Sequence, residues 1–152
     1  MKFLFEVNDL EFTVVNGPLL TENKVSVSVA RMDKIHPVIS GNKLFKLHYF
    51  LEEADKNNHQ SILTFGGTYS NHLAATSYAC KISGFRSIGI VRGEKTSIIN
   101  HTLQQCESNG MELHFISRSD YKSKDSIEML EMLRNKFGGF LLIPEGGYDP
   151  TG

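Results

Sequence analysis

Two short segments hold residues of the kind that do chemistry. In Ser40-Gly41-Asn42-Lys43-Leu44-Phe45-Lys46-Leu47, Lys43 and Lys46 are spaced to share one face of a helix. Both fall in or near what would be its first turn. Cations there oppose the helix dipole and each other, which suggests use rather than stability. An amine discouraged from carrying its proton is the nucleophile that attack on a carbonyl requires. In Phe65-Gly66-Gly67-Thr68-Tyr69-Ser70-Asn71-His72, two glycines permit a sharp turn with close backbone approach. Ser70 and Asn71 then open a helix rich in alanine (Ala74, Ala75, Ala79). Its free N–H groups and the serine hydroxyl make a place for a carboxylate or phosphate. Each segment also has a plainer reading: solvated lysines on an amphipathic helix, and Ser70 as an ordinary helix cap. Local sequence leaves both open.

The surrounding elements must bring these segments together. Val25 to Ala30 alternates apolar and small polar residues, which predicts a strand with one buried face. A loop marked by Pro37 and Gly41 follows. Leu44, Leu47, Phe50, Leu51 and Ala54 then recur at helical spacing and predict a helix from Asn42 to Lys56, with Asn42 as its N-cap. From there strands and helices alternate. Strands are expected at 61–65, 87–91, 111–116 and 140–143, and helices at 70–83, 98–108 and 120–136. The last helix carries Ile127, Leu130, Leu133 and Phe137 along one side. This order implies an α/β fold, a parallel sheet covered by helices on both faces. Ligands of such sheets bind beyond the carboxyl ends of the strands, where both candidate segments lie. The chain then runs into a glycine-rich loop, Pro144-Glu145-Gly146-Gly147-Tyr148. Such a loop is expected to lead on to a further element.

Composition excludes several classes of function. The 152 residues carry sixteen basic and seventeen acidic side chains, a net charge of -1, which calls for neither nucleic acid nor an anionic membrane. Apolar runs fall far short of the ~20 residues a membrane span needs. Glu6 and Asp9 interrupt the apolar start, so a cytoplasmic location is expected. Cys80 and Cys106 have no Cys-x-x-Cys spacing and read as reduced thiols. The six histidines show no metal-ligand spacing, so no metal site is expected. Ser70 lacks the Gly-x-Ser-x-Gly elbow of a hydrolase. The glycine segment also lacks the dinucleotide and Walker patterns.

Taken in order, Arg31-Met32-Asp33, His36-Pro37, Ser40 to Leu47, Gly66 to His72 and Ile143-Pro144-Glu145-Gly146-Gly147 resemble the 1-aminocyclopropane-1-carboxylate deaminase / D-cysteine desulfhydrase family. Its members are fold-type II pyridoxal-phosphate enzymes. The resemblance implies pyridoxal 5'-phosphate as cofactor and deamination or elimination on a small amino acid, giving a keto acid and ammonia. It matches Lys43 to the Schiff-base lysine that later moves protons, Lys46 to a lysine holding the cofactor phosphate, and Asn71 to the partner of the pyridine phenolic oxygen. Ser70 matches a catalytic serine near the substrate, and Ser70, Asn71 and His72 match the carboxylate clamp. Where the deaminases often carry Gln after Ser-Asn this chain has His72, and where they have Thr-Arg between the lysines it has Leu44-Phe45. Both departures count against a narrow cyclopropane deaminase and leave the broader group open. The resemblance assigns residues 1–48 to the large cofactor domain, 49–145 to the small α/β domain, and 146–152 to a crossover into a C-terminal half. That half supplies the phosphate cup and the partner of the pyridine nitrogen, so the 152-residue chain alone is expected to bind cofactor weakly. The family also implies a homodimer. The alternatives are a non-catalytic α/β module and another fold-type II enzyme of the cysteine synthase kind.

Overall fold

The computed structural model describes residues 8–39, 41–95 and 98–148. Ser40 and the last four residues, which carry parts of two expected motifs, lie outside them. The centre is strand β3 (Ser61–Gly66), buried at all six positions. A strand without polar alternation is what a parallel sheet covered on both faces demands. It pairs in parallel with β4 (Arg86–Arg92) on one side and β6 (Leu141–Ile143) on the other, and β5 (Glu112–Ile116) extends the sheet beyond β4. Helix α2 (Asn42–Lys56) and α3 (Asn71–Ser83) pack through Leu44, Leu47, Leu51, Ala75, Ala79 and Cys80 onto Ile62 and Ile143. On the opposite face Leu63 and Phe65 meet Tyr121 of α5 (Arg118–Lys122) and Leu133 of α6 (Ile127–Phe137). Helix α4 (His101–Ser108) closes a third cluster, in which Leu103 and Cys106 meet Leu73, Val91 and Met111. Both cysteines are free and buried, and burial pushes Cys80 up to about 12. Among the described residues no helix is long and apolar enough to cross a membrane.

The expected α/β alternation is therefore observed, with three differences in detail. First, β1 (Phe12–Val15) and β2 (Val27–Ala30) form an antiparallel ribbon joined by the short helix α1 (Pro18–Glu22), and every strand position is exposed. Alternation in 25–30 makes a strand, but within the described residues nothing covers its apolar face. Second, the helix expected over 120–136 is two helices. Ser126 Oγ accepts the Met129 N–H at 3.2 Å and starts α6 afresh, while the Ser123 hydroxyl donates back to the Asp120 carbonyl at 3.0 Å. Serine hydroxyls in such a run compete with the helical backbone for its bonds. The break rotates Ile127 into solvent, 72% exposed, and leaves Leu133 as the buried residue of α6. Third, Asn42 is not the cap of α2. Gly41 takes that position with φ 64° and ψ -147°, a backbone region open essentially to glycine, and Asn42 is the first helical residue.

Candidate active site

Strands β3 and β6 are neighbours, yet their connections run on opposite faces of the sheet. From β3 the chain passes through α3 to β4, whereas β6 is reached from β5 by way of α5 and α6 on the other face. The carboxyl ends of β3 and β6 thus flank a topological switch point, where open α/β sheets bind ligands. Three segments converge on it: the first turn of α2, the Gly66–His72 turn into α3, and a 3-10 turn (Glu145–Gly147) after β6.

The start of α2 is fixed by a loop that satisfies its own polar groups. Arg31 donates to both oxygens of Asp33, at 2.9 and 2.7 Å, and the Gly41 N–H bonds the Met32 carbonyl at 3.0 Å. His36 Nδ1 accepts the N–H groups of Val38 and Ile39 at 3.1 and 2.9 Å, with the ring edge-on to Tyr78. With Leu44 and Leu47 wholly buried below, Lys43 and Lys46 are left half-buried on the side facing α3 and the 3-10 turn. Neither lysine has a carboxylate within ion-pair distance among the described residues.

His72 is the other half of the site, and its protonation can be derived. It is 4% exposed. Its Nε2 lies 2.9 Å from Thr64 Oγ1, and the Thr64 hydroxyl donates its only proton to the Ile143 carbonyl at 2.8 Å. Thr64 can then only accept from the ring, so the proton sits on Nε2 and Nδ1 carries a lone pair. That Nδ1 is buried without a hydrogen-bond partner among the described residues. Burial first, then the positive charges of Lys43 and Lys46, push His72 down to about 4, so the ring is neutral at physiological pH. The electrostatic coupling also shows that both lysines lie close to the imidazole.

Glycines make room for this packing. A Cβ on Gly66 would lie 2.6 Å from Leu73 Cγ and 2.7 Å from Ser70 Oγ, so the strand end and the helix start meet too closely for any side chain. A Cβ on Gly147 would meet Lys46 Cβ and Cδ at 3.4 Å and His72 Cε1 at 3.6 Å. The turn after β6 thus lies against both Lys46 and His72.

Of the sequence-predicted site residues, Lys43, Lys46 and His72 are brought together, with Ser70 and Asn71 beside them at the start of α3. Ser70 does serve as the N-cap, its Oγ accepting the Leu73 N–H at 3.2 Å. The Asn71 side chain is exposed and makes no hydrogen bond among the described residues, and the N–H groups of Asn71 and His72 are first-turn donors without an intrahelical partner. Sequence reasoning gave no role to Thr64 or to the Ile143 carbonyl. The available signal was a hydroxyl residue inside the otherwise apolar Ile62-Leu63-Thr64-Phe65.

No family model matches the chain. A curated protein of Thermotoga maritima, described as a putative 1-aminocyclopropane-1-carboxylate deaminase, is 35% identical over 130 residues, which are 84% of this chain and 41% of that protein. Over most of its own length the chain is similar to proteins of the 1-aminocyclopropane-1-carboxylate deaminase / D-cysteine desulfhydrase family. A bifunctional D-cysteine desulfhydrase/1-aminocyclopropane-1-carboxylate deaminase, mitochondrial, of Arabidopsis thaliana is 28% identical over 140 residues, 86% of this chain and 35% of that one. The crystal structure of an ACC deaminase homologue superposes with a TM-score of 0.72 at 26% identity, covering 93% of this chain and 43% of its own. The fold is that of the fold-type II class. The chain spans about two fifths of the length of the relatives it matches.

Proposed function

We propose that this chain carries the cofactor lysine and part of the substrate site of a pyridoxal-phosphate-dependent deaminase or desulfhydrase acting on a small amino acid. The observation that carries the reading is the meeting of Lys43, Lys46 and a neutral His72, whose Nδ1 has no partner among the described residues, at the switch point of the sheet. This donor set fits the group. An aldehyde needs a primary amine, a phosphate needs a fixed cation, and the first-turn N–H groups of α3 suit a carboxylate.

Bound there, pyridoxal phosphate would supply an electron sink for the carbon bearing the amine. Lys43 Nζ is the amine that would hold the cofactor's aldehyde and, when free, would move the proton at the substrate carbon. Lys46, one helical turn on, would hold the phosphate with its charge. The Asn71 amide would donate to the phenolic oxygen of the ring. Ser70 and the N–H groups of Asn71 and His72 take the substrate carboxylate, fixing the labile bond against the ring. In this reading residues 1–48 belong to the cofactor domain and 49–145 to the small domain, the division falling within α2. Names of relatives that include D-cysteine desulfhydrase favour the broader activity, as does His72 where a glutamine is usual.

The test is borohydride reduction of the protein loaded with pyridoxal phosphate, followed by peptide mapping. A pyridoxyl label on Lys43 is expected, lost in Lys43→Ala and retained in Lys46→Gln. A label on any other lysine would overturn the assignment. A product screen with D-cysteine and 1-aminocyclopropane-1-carboxylate then separates the two activities.

A further inference from the structure

On the opposite face of the sheet, segments beyond the carboxyl ends of β3, β4 and β5 form an open cavity, of about 440 Å³, lined by Gly67, Thr68, Arg92, Arg118, Tyr121 and Lys122. It shares the Gly66–His72 turn with the Lys43–His72 site, but its side-chain walls lie on the other face of the sheet. Thr64 points to His72, whereas the next residue, Phe65, points the other way and meets Tyr121 edge-on at 6.0 Å. Its volume falls within the range of small-molecule sites.

The lining is basic, and its three cations form no ion pair among the described residues. Arg92, Arg118 and Lys122 have no carboxylate within ion-pair distance among the described residues. The carboxylates nearby are engaged elsewhere. Asp120 accepts the Ser117 hydroxyl at 2.7 Å, and Glu145 lies 3.6 Å from Lys124. The Arg92 guanidinium is held over the Tyr121 ring, 5.5 Å from its centroid. Tyr121 is 4% exposed, and its buried hydroxyl lies beside the Glu145 carboxylate. Burial, and after it Glu145, push Tyr121 up, so the phenol keeps its proton.

Three cations gathered around a concavity repel one another, an arrangement that an anionic occupant relieves. Two of them are arginines, whose planar forks match the oxygens of phosphate and carboxylate. We propose that this cavity is an anion site, distinct from the cofactor site, that takes the doubly charged oxyanion group of a small ligand, a phosphate or a dicarboxylate. The three cations supply the donors, and Gly67 keeps the wall beside Arg92 free of a side chain.

The experiment is a titration of the 152-residue chain with inorganic phosphate, and separately with malonate, followed by amide and arginine NMR at ionic strength held constant with chloride. Saturable shifts at Gly67, Thr68 and the Arg92 side chain are expected with both anions and not with chloride. Arg92→Gln and Arg118→Gln should each weaken binding about tenfold, the loss of one charge-assisted bond. Gly67→Asp tests the site with every cation kept. A Cβ there would stand 3.6 Å from Arg92 Nη2, an ordinary contact, so the new carboxylate can occupy the cavity and should abolish binding, while Gly67→Ala leaves it intact. Shifts centred on Asn71 and His72 instead, or phosphate binding unchanged in Gly67→Asp, would overturn the proposal. Failure to label Lys43 would leave it standing.

Discussion

Replacing Thr64 by valine keeps the shape of a wholly buried side chain and removes its hydroxyl. Two buried groups then lose their partner: the Ile143 carbonyl, now bonded at 2.8 Å, and the proton on His72 Nε2, at 2.9 Å. Leaving a buried donor or acceptor unpaired costs about 1–3 kcal/mol. The pair should therefore cost about 2–6 kcal/mol, a fall in Tm of roughly 4–24 °C for a chain of this size. Thr64→Ser is the control. It keeps both bonds and loses one methyl, worth about 1 kcal/mol. Thermal unfolding measures the difference. Nitrogen-15 shifts of the His72 ring report which nitrogen holds the proton, expected to be Nε2 in the wild type and in Thr64→Ser. If the valine variant proves as stable as the serine one, or the wild-type proton sits on Nδ1, the reasoning about this site is wrong.

Acid should also act on His72. Its pKa is lower in the folded chain, about 4 against an ordinary 6.5. The unfolded state therefore binds the extra proton, and stability present above pH 6.5 is lost as pH falls towards 4. The loss is about 3 kcal/mol at most, read from urea midpoints across that window and smaller in His72→Phe. His36, pushed down by burial, adds a loss of the same sign. In Lys46→Met a positive neighbour disappears, so NMR titration should find the His72 pKa moved back up; an unchanged value would remove Lys46 from the site. Gly66→Ala places a Cβ 2.6 Å from the buried Leu73 and should cost about 1–3 kcal/mol in chemical denaturation. Gly67→Ala, with one contact at 3.6 Å, should be close to neutral.

The α/β alternation was legible because each buried strand is short, apolar and bounded by turn residues; Ser61–Gly66 differs from its expected range by one residue. What local pattern could not give was anything decided by distant partners. Val27 and Val29 alternate correctly, yet whether a face is buried depends on what lies against it. The serines at 123 and 126 interrupt a periodicity that otherwise reads straight through. Thr64 and Ile143 are bonded across 79 residues of sequence, so neither could be recognised from its neighbours. The lysines of α2 were legible as unusual through their place at a helix start. Their closeness to His72 emerges only from the packing of α2 against α3.

That packing changes what His72 can do at the proposed site. With the proton held on Nε2 by Thr64, the nitrogen left open is an acceptor. A lone pair repels a carboxylate, so the His72 ring is not the partner of the substrate's acid group. On the proposed function that role falls to Ser70 and to the N–H groups of Asn71 and His72, which lie at the positive end of α3. The imidazole instead suits an N–H donor, and the two ammonium groups that lower its pKa are the nearest cations known to it. A glutamine in the same place could present a donor, whereas this histidine cannot while Thr64 fixes its tautomer. The departure from the deaminase pattern at residue 72 thus exchanges a group that can donate for one that only accepts. It does so beside the amine that would do the chemistry, where a change of substrate preference is best made.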